Sequence, residues 1–145
     1  MLRRILFVLI APFVAVITFA APALATSPHF IFANVTSVGT NSITVSFKEA
    51  GLGNSLNSVN ISVSGTAECI NPGSNHPKAA NKSSESASGT FNVSNGQATG
   101  SLTMTASNIS PNCSPPMVIA WTDLVVTDTT FNDSTTIPGT FFPSG

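Results

Sequence analysis

SITVSFK, residues 42–48, alternates without a slip: Ile43, Val45 and Phe47 share one side of an extended chain, and Thr44, Ser46 and Lys48 share the other. Side chains of a strand point by turns to opposite faces, so this stretch predicts a strand with one face in a core and one in water. A helix would need apolar residues three and four apart, and from Thr26 onward that period is never sustained. The fold class predicted is all-β.

The same reading extends to both sides. His29–Val38 (HFIFANVTSV) is rich in aromatic and β-branched residues and stops at Gly39. Ser58–Ile70 alternates through Val59, Ile61 and Val63 and, after an interruption at Gly65, through Ala67 and Cys69. Ser86–Ser94 and Gln97–Ser107 flank Asn95-Gly96, a dipeptide that tolerates positive φ at both turn positions and so predicts a two-residue hairpin. Met117–Thr127 (MVIAWTDLVVT) is almost continuously apolar, the pattern of a central strand covered on both faces. Thr135–Phe142 carries Pro138, which donates nothing to a ladder and predicts a sheet edge or a bulge. Seven short strands with Gly, Asn and Pro punctuation predict a two-sheet, immunoglobulin-like β-sandwich, with a partly open barrel as the alternative.

Ahead of the strands stands MLRRILFVLIAPFVAVITFAAPALAT. Two arginines, an uncharged apolar run from Ile5, and Ala23-Leu24-Ala25 form the three parts of a secretory signal, with cleavage expected after Ala25. The competing reading is an uncleaved anchor, because Ile5 to Ala25 is long enough to span a bilayer. Pro12, Pro22 and the alanine-rich end favour processing. Arg3-Arg4 also invites a twin-arginine reading, but no Ser or Thr precedes the pair, so the general secretory route is expected. The domains expected are a signal peptide, 1–25, and one sandwich domain, 26–145. No Cys near the cleavage site would take a lipid, and the end IPGTFFPSG is broken by Pro138 and Pro143, so the product is expected to be released outside the cell and to have no membrane partner.

The chain has 145 residues and only five Lys or Arg against six Asp or Glu. That is 8% charged, far too little for an acidic or basic disordered chain. Removal of Arg3 and Arg4 leaves Lys48, Lys78 and Lys82 as the cations, and phosphate neutralisation with three lysines on an acidic domain argues against nucleic acid as a partner. The two cysteines, Cys69 and Cys113, are even in number in an exported chain and predict one disulfide. A metal pair or redox couple would need C-x-x-C or a nearby His, and neither is present.

Four stretches carry a resemblance: FKEAGLGN at 47–54, CINPGSNHPKAANK at 69–82, TDTT at 127–130 and IPGTF at 137–141. Together they make the chain similar to a group of small secreted bacterial proteins of unassigned activity. The resemblance implies an extracellular immunoglobulin-like β-sandwich and carries over no catalytic or binding residue.

Candidate chemistry is sparse. Asn71–Glu85 lacks apolar periodicity, is longer than most connections in a domain, and holds His76, Lys78 and Lys82, so these three are the candidate binding residues. Glu68, Glu49 and Lys48 are candidate neighbours of that loop; a merely solvated loop is the plain alternative. No G-x-S-x-G, H-E-x-x-H, phosphate loop or dinucleotide fingerprint occurs, so no catalytic residue, metal ligand or cofactor is assigned. Asp128 and Asp133 offer oxygens for a weak calcium site, although turn formation by Asp is commoner. Trp121 is read as core, with an exposed platform for a sugar ring as the alternative. Asn-x-Ser/Thr triplets begin at Asn34, Asn60, Asn81, Asn92, Asn108, Asn112 and Asn132 and bear on function only in a host that glycosylates them. The expectation is a secreted, non-catalytic binding or structural module for a carbohydrate or a protein surface, working through the 71–85 loop. The alternative is a small extracellular hydrolase or inhibitor using His76 or surface carboxylates.

Overall fold

Seven strands make up residues 26–71, 82–109 and 113–143, the residues described by the computed structural model: β1 His29–Val38, β2 Ser42–Ala50, β3 Ser58–Ile70, β4 Lys82–Asn92, β5 Ala98–Thr105, β6 Val118–Asp128 and β7 Asp133–Ile137. The predicted signal peptide, His76, Lys78, Asn81 and Asn112 lie outside these residues. The strands form two antiparallel sheets, one ordered β1-β2-β5 and the other β4-β3-β6-β7. This is the predicted two-sheet sandwich of seven strands. It departs from the constant-type immunoglobulin arrangement in one respect: the fourth strand joins the sheet of the third instead of that of the first.

The alternation read from SITVSFK runs one step further than predicted. Ile43, Val45, Phe47 and Glu49 of β2 are all fully buried, and Val59, Ile61, Val63, Ala67 and Cys69 of β3 face them. Each such aliphatic side chain contributes roughly 1.5–3 kcal/mol by leaving water. Three rings join the sheets: Phe47 meets Phe30 edge-on at 6.3 Å and Phe91 edge-on at 4.8 Å. Phe91 of β4 fits only because its neighbour across the sandwich is Gly100, where an added Cβ would lie 2.2 Å from the ring.

Two expectations about strands are corrected. Asn95 and Gly96 do adopt positive φ, 51° and 70°, and Ser94 and Gln97 exchange backbone hydrogen bonds of 2.8 and 3.0 Å across the turn. The hairpin goes no further, because β4 pairs with β3 from Ser58↔Asn92 to Glu68↔Lys82, while β5 pairs with β2 from Ser42↔Thr105 to Glu49↔Ala98. These two long ladders outweigh the one that β4 and β5 would make together, and the turn becomes a corner between sheets. The second correction concerns β6, which was expected to be covered on both faces. Its outer face is covered only in part: Ala120 is fully buried, Thr122, Val125 and Thr127 are half-buried, and Val118 and Asp123 are exposed. The apolar run arises from a change of phase, since Ile119 and Trp121 point inward before Asp123 and Leu124, Val126 and Asp128 point inward after it.

That change of phase is a bulge. The register with β3 slips between Ser64↔Val125 and Thr66↔Thr122, and Asp123 takes a φ of 54°. An extra residue in one strand reverses which side chains face the core and sharpens the local twist. Opposite the slip lies Gly65, where a Cβ would come within 2.5 Å of the Leu124 side chain. The sequence interruption at Gly65 is thus the space into which Leu124 packs.

β7 ends at Ile137, earlier than predicted, where Pro138 and Gly139 leave the ladder. Phe141 then rejoins β6 through a pair of 2.9 Å hydrogen bonds with Trp121. The disulfide Cys69–Cys113 is formed, with a Cα–Cα separation of 5.6 Å. Since Cys69 pairs with Ile119, the bridge fastens the end of β3 to the approach to β6 within one sheet, not across the two.

Candidate functional site

Of the three candidate binding residues, Lys82 is described, and it opens β4 at the end of the 71–85 segment. Its Nζ donates to Glu68 Oε1 at 2.6 Å, the two residues facing each other in register across β3 and β4. Glu68, one of the candidate neighbours, thus pairs with the last part of the segment, and Lys82 already has a carboxylate partner. Glu68 lies on the outer side of its strand yet is 7% exposed, covered by its neighbours.

From Glu68 the polar groups continue across the sheet. Thr122 Oγ1 lies 3.3 Å from Glu68 Oε1 and 3.2 Å from Asp123 Oδ2. The line Lys82, Glu68, Thr122, Asp123 thus crosses from β4 over β3 to β6. Thr122 has a single hydroxyl hydrogen to offer two carboxylates, so together they accept more strongly than it can supply. The bulge creates this arrangement: in a regular strand Thr122 and Asp123 would face opposite ways, whereas here Thr122 is half-buried and Asp123 exposed on the outer side.

Beside this line, where Pro138 and Gly139 leave the β6 ladder after β7, lies a cleft of about 600 Å³. Thr122, Asp123, Thr136 and Thr140 give it oxygens, and Ile137 and Pro138 give it an apolar side. Its size falls within the range of small-molecule sites, and a few polar groups set against an apolar wall is their usual composition. Sequence reasoning passed over Asp123, Thr122 and Thr136. The available signal was Trp121 followed three residues later by Leu124, two large apolar residues whose spacing breaks the period of two.

A second group of carboxylates lies roughly 16 Å further along β3, at the end of the sandwich where β2 and β6 finish. Glu49 of β2 and Asp128 of β6 are both fully buried. Asp128 Oδ1 accepts from the backbone N–H of Thr130 at 2.6 Å and of Phe131 at 3.4 Å, which forms the turn into β7. This is the turn-forming role foreseen for Asp128. No donor reaches its Oδ2 or either oxygen of Glu49, acceptors that can bond to each other only when Glu49 keeps its proton. Burial, then the charge of Asp128 and hydrogen bonding with it, then the charge of Asp133, push the Glu49 carboxyl up to about 8. Glu49 is accordingly a neutral acid in neutral water. Among the described residues no three His, Cys, Asp or Glu are grouped so as to hold a metal ion.

Trp121 is wholly buried, its indole N–H without a partner, so it is a core residue and not a platform for a sugar. Asn34, Asn60, Asn92, Asn108 and Asn132 are exposed, and Asn60 Oδ1 accepts from Thr90 Oγ1 at 2.8 Å. Comparison with protein-family models finds no match, and comparison with curated proteins finds none.

Proposed function

We propose that this protein is a secreted, non-catalytic binding module for carbohydrate, of the kind of small exported bacterial protein that its 47–54, 69–82, 127–130 and 137–141 stretches resemble. The observation that carries the reading is the bulge at Asp123, which sets Thr122 and Asp123 on one face beside a cleft with an apolar wall. Sugars present this pairing of chemistries: hydroxyls around the ring edge and an apolar C–H face. The outer surfaces of the sheets extend the same character, with Ser42 opposite Thr105, Thr44 opposite Thr103 and Ser46 opposite Ser101 on one sheet, the Thr44 and Thr103 hydroxyls 2.9 Å apart. The 71–85 segment leaves and re-enters the sheet next to Glu68 and Lys82, which makes His76 and Lys78 candidates for the rim of this site.

A hydrolase using surface carboxylates is the weaker reading. The carboxyl pair Glu49 and Asp128 is fully buried, so neither group is exposed to a substrate. Glu68 is held by Lys82.

The reading is tested by incubating the purified exported protein with a panel of soluble and insoluble polysaccharides, scoring retention and the release of reducing ends. Retention without release is expected. Thr122→Val with Asp123→Asn should lower retention about tenfold or more with little change in melting temperature. A parallel triple variant, His76→Ala with Lys78→Ala and Lys82→Ala, measures the part played by the loop. Release of sugars, or retention indifferent to both sets of substitutions, would refute the proposal.

A further inference from the structure

We infer that the β6–β7 cleft selects sugars that carry a free amino group. This rests on the carbohydrate reading and names the class of sugar. The argument begins with charge. Asp123 is the one charged residue among those lining the cleft, and the carboxylate next along the polar line, Glu68, is bound to Lys82 at 2.6 Å. Among the described residues no cation lies within 4 Å of Asp123. The described lining thus carries a single negative charge, on an exposed side chain.

The hydrogen-bond supply points the same way. Asp123 receives at most a share of one hydroxyl proton from Thr122, which is also within reach of Glu68. A carboxylate accepts through about four lone-pair positions, so Asp123 has capacity for a donor-rich group. An ammonium offers three donors and a positive charge in one small group, and a charge-assisted hydrogen bond is about twice as strong as a neutral one. The neighbouring Thr122, Thr136 and Thr140 hydroxyls suit the other ring hydroxyls, and the Ile137–Pro138 side suits the C–H face. Lysine side chains would satisfy the charge but leave those hydroxyls without partners. Sulfated or uronic sugars, the natural match for a basic loop, would meet the charge of Asp123 with their own.

The position of Asp123 also makes it testable. Its φ of 54° lies in the left-handed region that Asn and Asp tolerate better than other residues with a Cβ, so Asp123→Asn removes the charge and keeps the bulge. Calorimetric titration at low salt and pH 6 would compare free-amine glucosamine oligomers, N-acetylglucosamine oligomers, glucose oligomers, galacturonate oligomers and a lysine-bearing peptide. Free-amine oligomers are expected to bind about fivefold or more tighter than N-acetylated or neutral ones of the same length. In Asp123→Asn this preference should vanish, so that amine and N-acetyl oligomers of one length bind alike. Equal binding of amine and N-acetyl forms by the wild type overturns the inference and leaves the carbohydrate reading standing. Tighter binding of the lysine peptide, or of the uronate, overturns it as well. Binding of none of these sugars removes both.

Discussion

Glu49 shows how a single residue turns a regular pattern into a stored dependence on pH. It occupies the fourth inward position of β2, after Ile43, Val45 and Phe47, and so must enter the core whatever its chemistry. A buried carboxylate without partners costs several kcal/mol, and the group answers by keeping its proton to about pH 8. In the unfolded chain the same carboxyl gives up its proton near 4.5. Between these values the native state holds one proton more, so stability is highest below about 4.5 and falls as pH rises, by up to ~1.4 kcal/mol per pH unit from this group. Above about 8 the group adds no further slope. Urea midpoints between pH 4.5 and 8.5 should show this decline in the wild type, and Glu49→Gln, which keeps a permanent donor beside Asp128, should flatten it. Parallel profiles would mean that Glu49 is ionised in the native protein. The inward position of Glu49 was legible, since one more step of alternation past Phe47 leads to it. Its partner was not, because the parity of Asp128 depends on a slip five residues earlier in β6.

At the scale of elements, the ends of strands were legible from the residues that bound them, and the covering of a face was misjudged where the alternation changes phase. β1 and β3 begin and end where the pattern does. β6 has the composition of a doubly covered strand, but a bulge produces the same text from a strand covered on one side, and only the spacing of Trp121 and Leu124 separates the two cases. The Asn95-Gly96 turn was legible as a turn, whereas the divergence of its strands depends on ladders with β2 and β3 that are distant in sequence. Pairing between the facing strands β4 and β5 is replaced by packing: Phe91 of β4 stands over Gly100 of β5. Gly100→Ala therefore forces a methyl into the ring, and a loss of about 1–3 kcal/mol is expected in chemical unfolding. Phe91→Leu is destabilising alone through the lost volume and the lost edge-on contact with Phe47. Combined with Gly100→Ala it should cost less than the sum of the two, because the shorter side chain frees the space that the methyl needs. Strict additivity would show that the two sites do not compete for the same volume. Gly96→Ala, at a φ of 70°, should cost about 1 kcal/mol through backbone strain and leave this coupling untouched.

Across the whole molecule, the two ends of the sandwich are held by different chemistry. At one end the Cys69–Cys113 bridge ties β3 to the approach to β6, and close to it lie Glu68, Lys82, Thr122 and the cleft. At the other, Asp128 forms the β6–β7 turn and faces Glu49 across the sheets. The bridge closes a loop with a sequence separation of 44, and on the chain-entropy argument its removal should cost about 4 kcal/mol. That entropic term acts on the unfolded chain, but its local expression belongs to the native state, where β3 near Cys69 pairs with the first residues of β6. Cys69→Ala with Cys113→Ala should therefore accelerate amide exchange most at Glu68 to Ile70 and Val118 to Trp121. Exchange at Ile61, Val126 and Asp128, held by the far end of the same ladder, should rise only in step with the global loss of stability. Sugar retention should fall with the first group of amides, since Glu68 and Thr122 keep their spacing only while β3 and β6 stay in register. Uniform acceleration along both strands would mean that the bridge sets global stability alone, and retention at full wild-type strength in the bridge-free variant would separate the cleft from the disulfide.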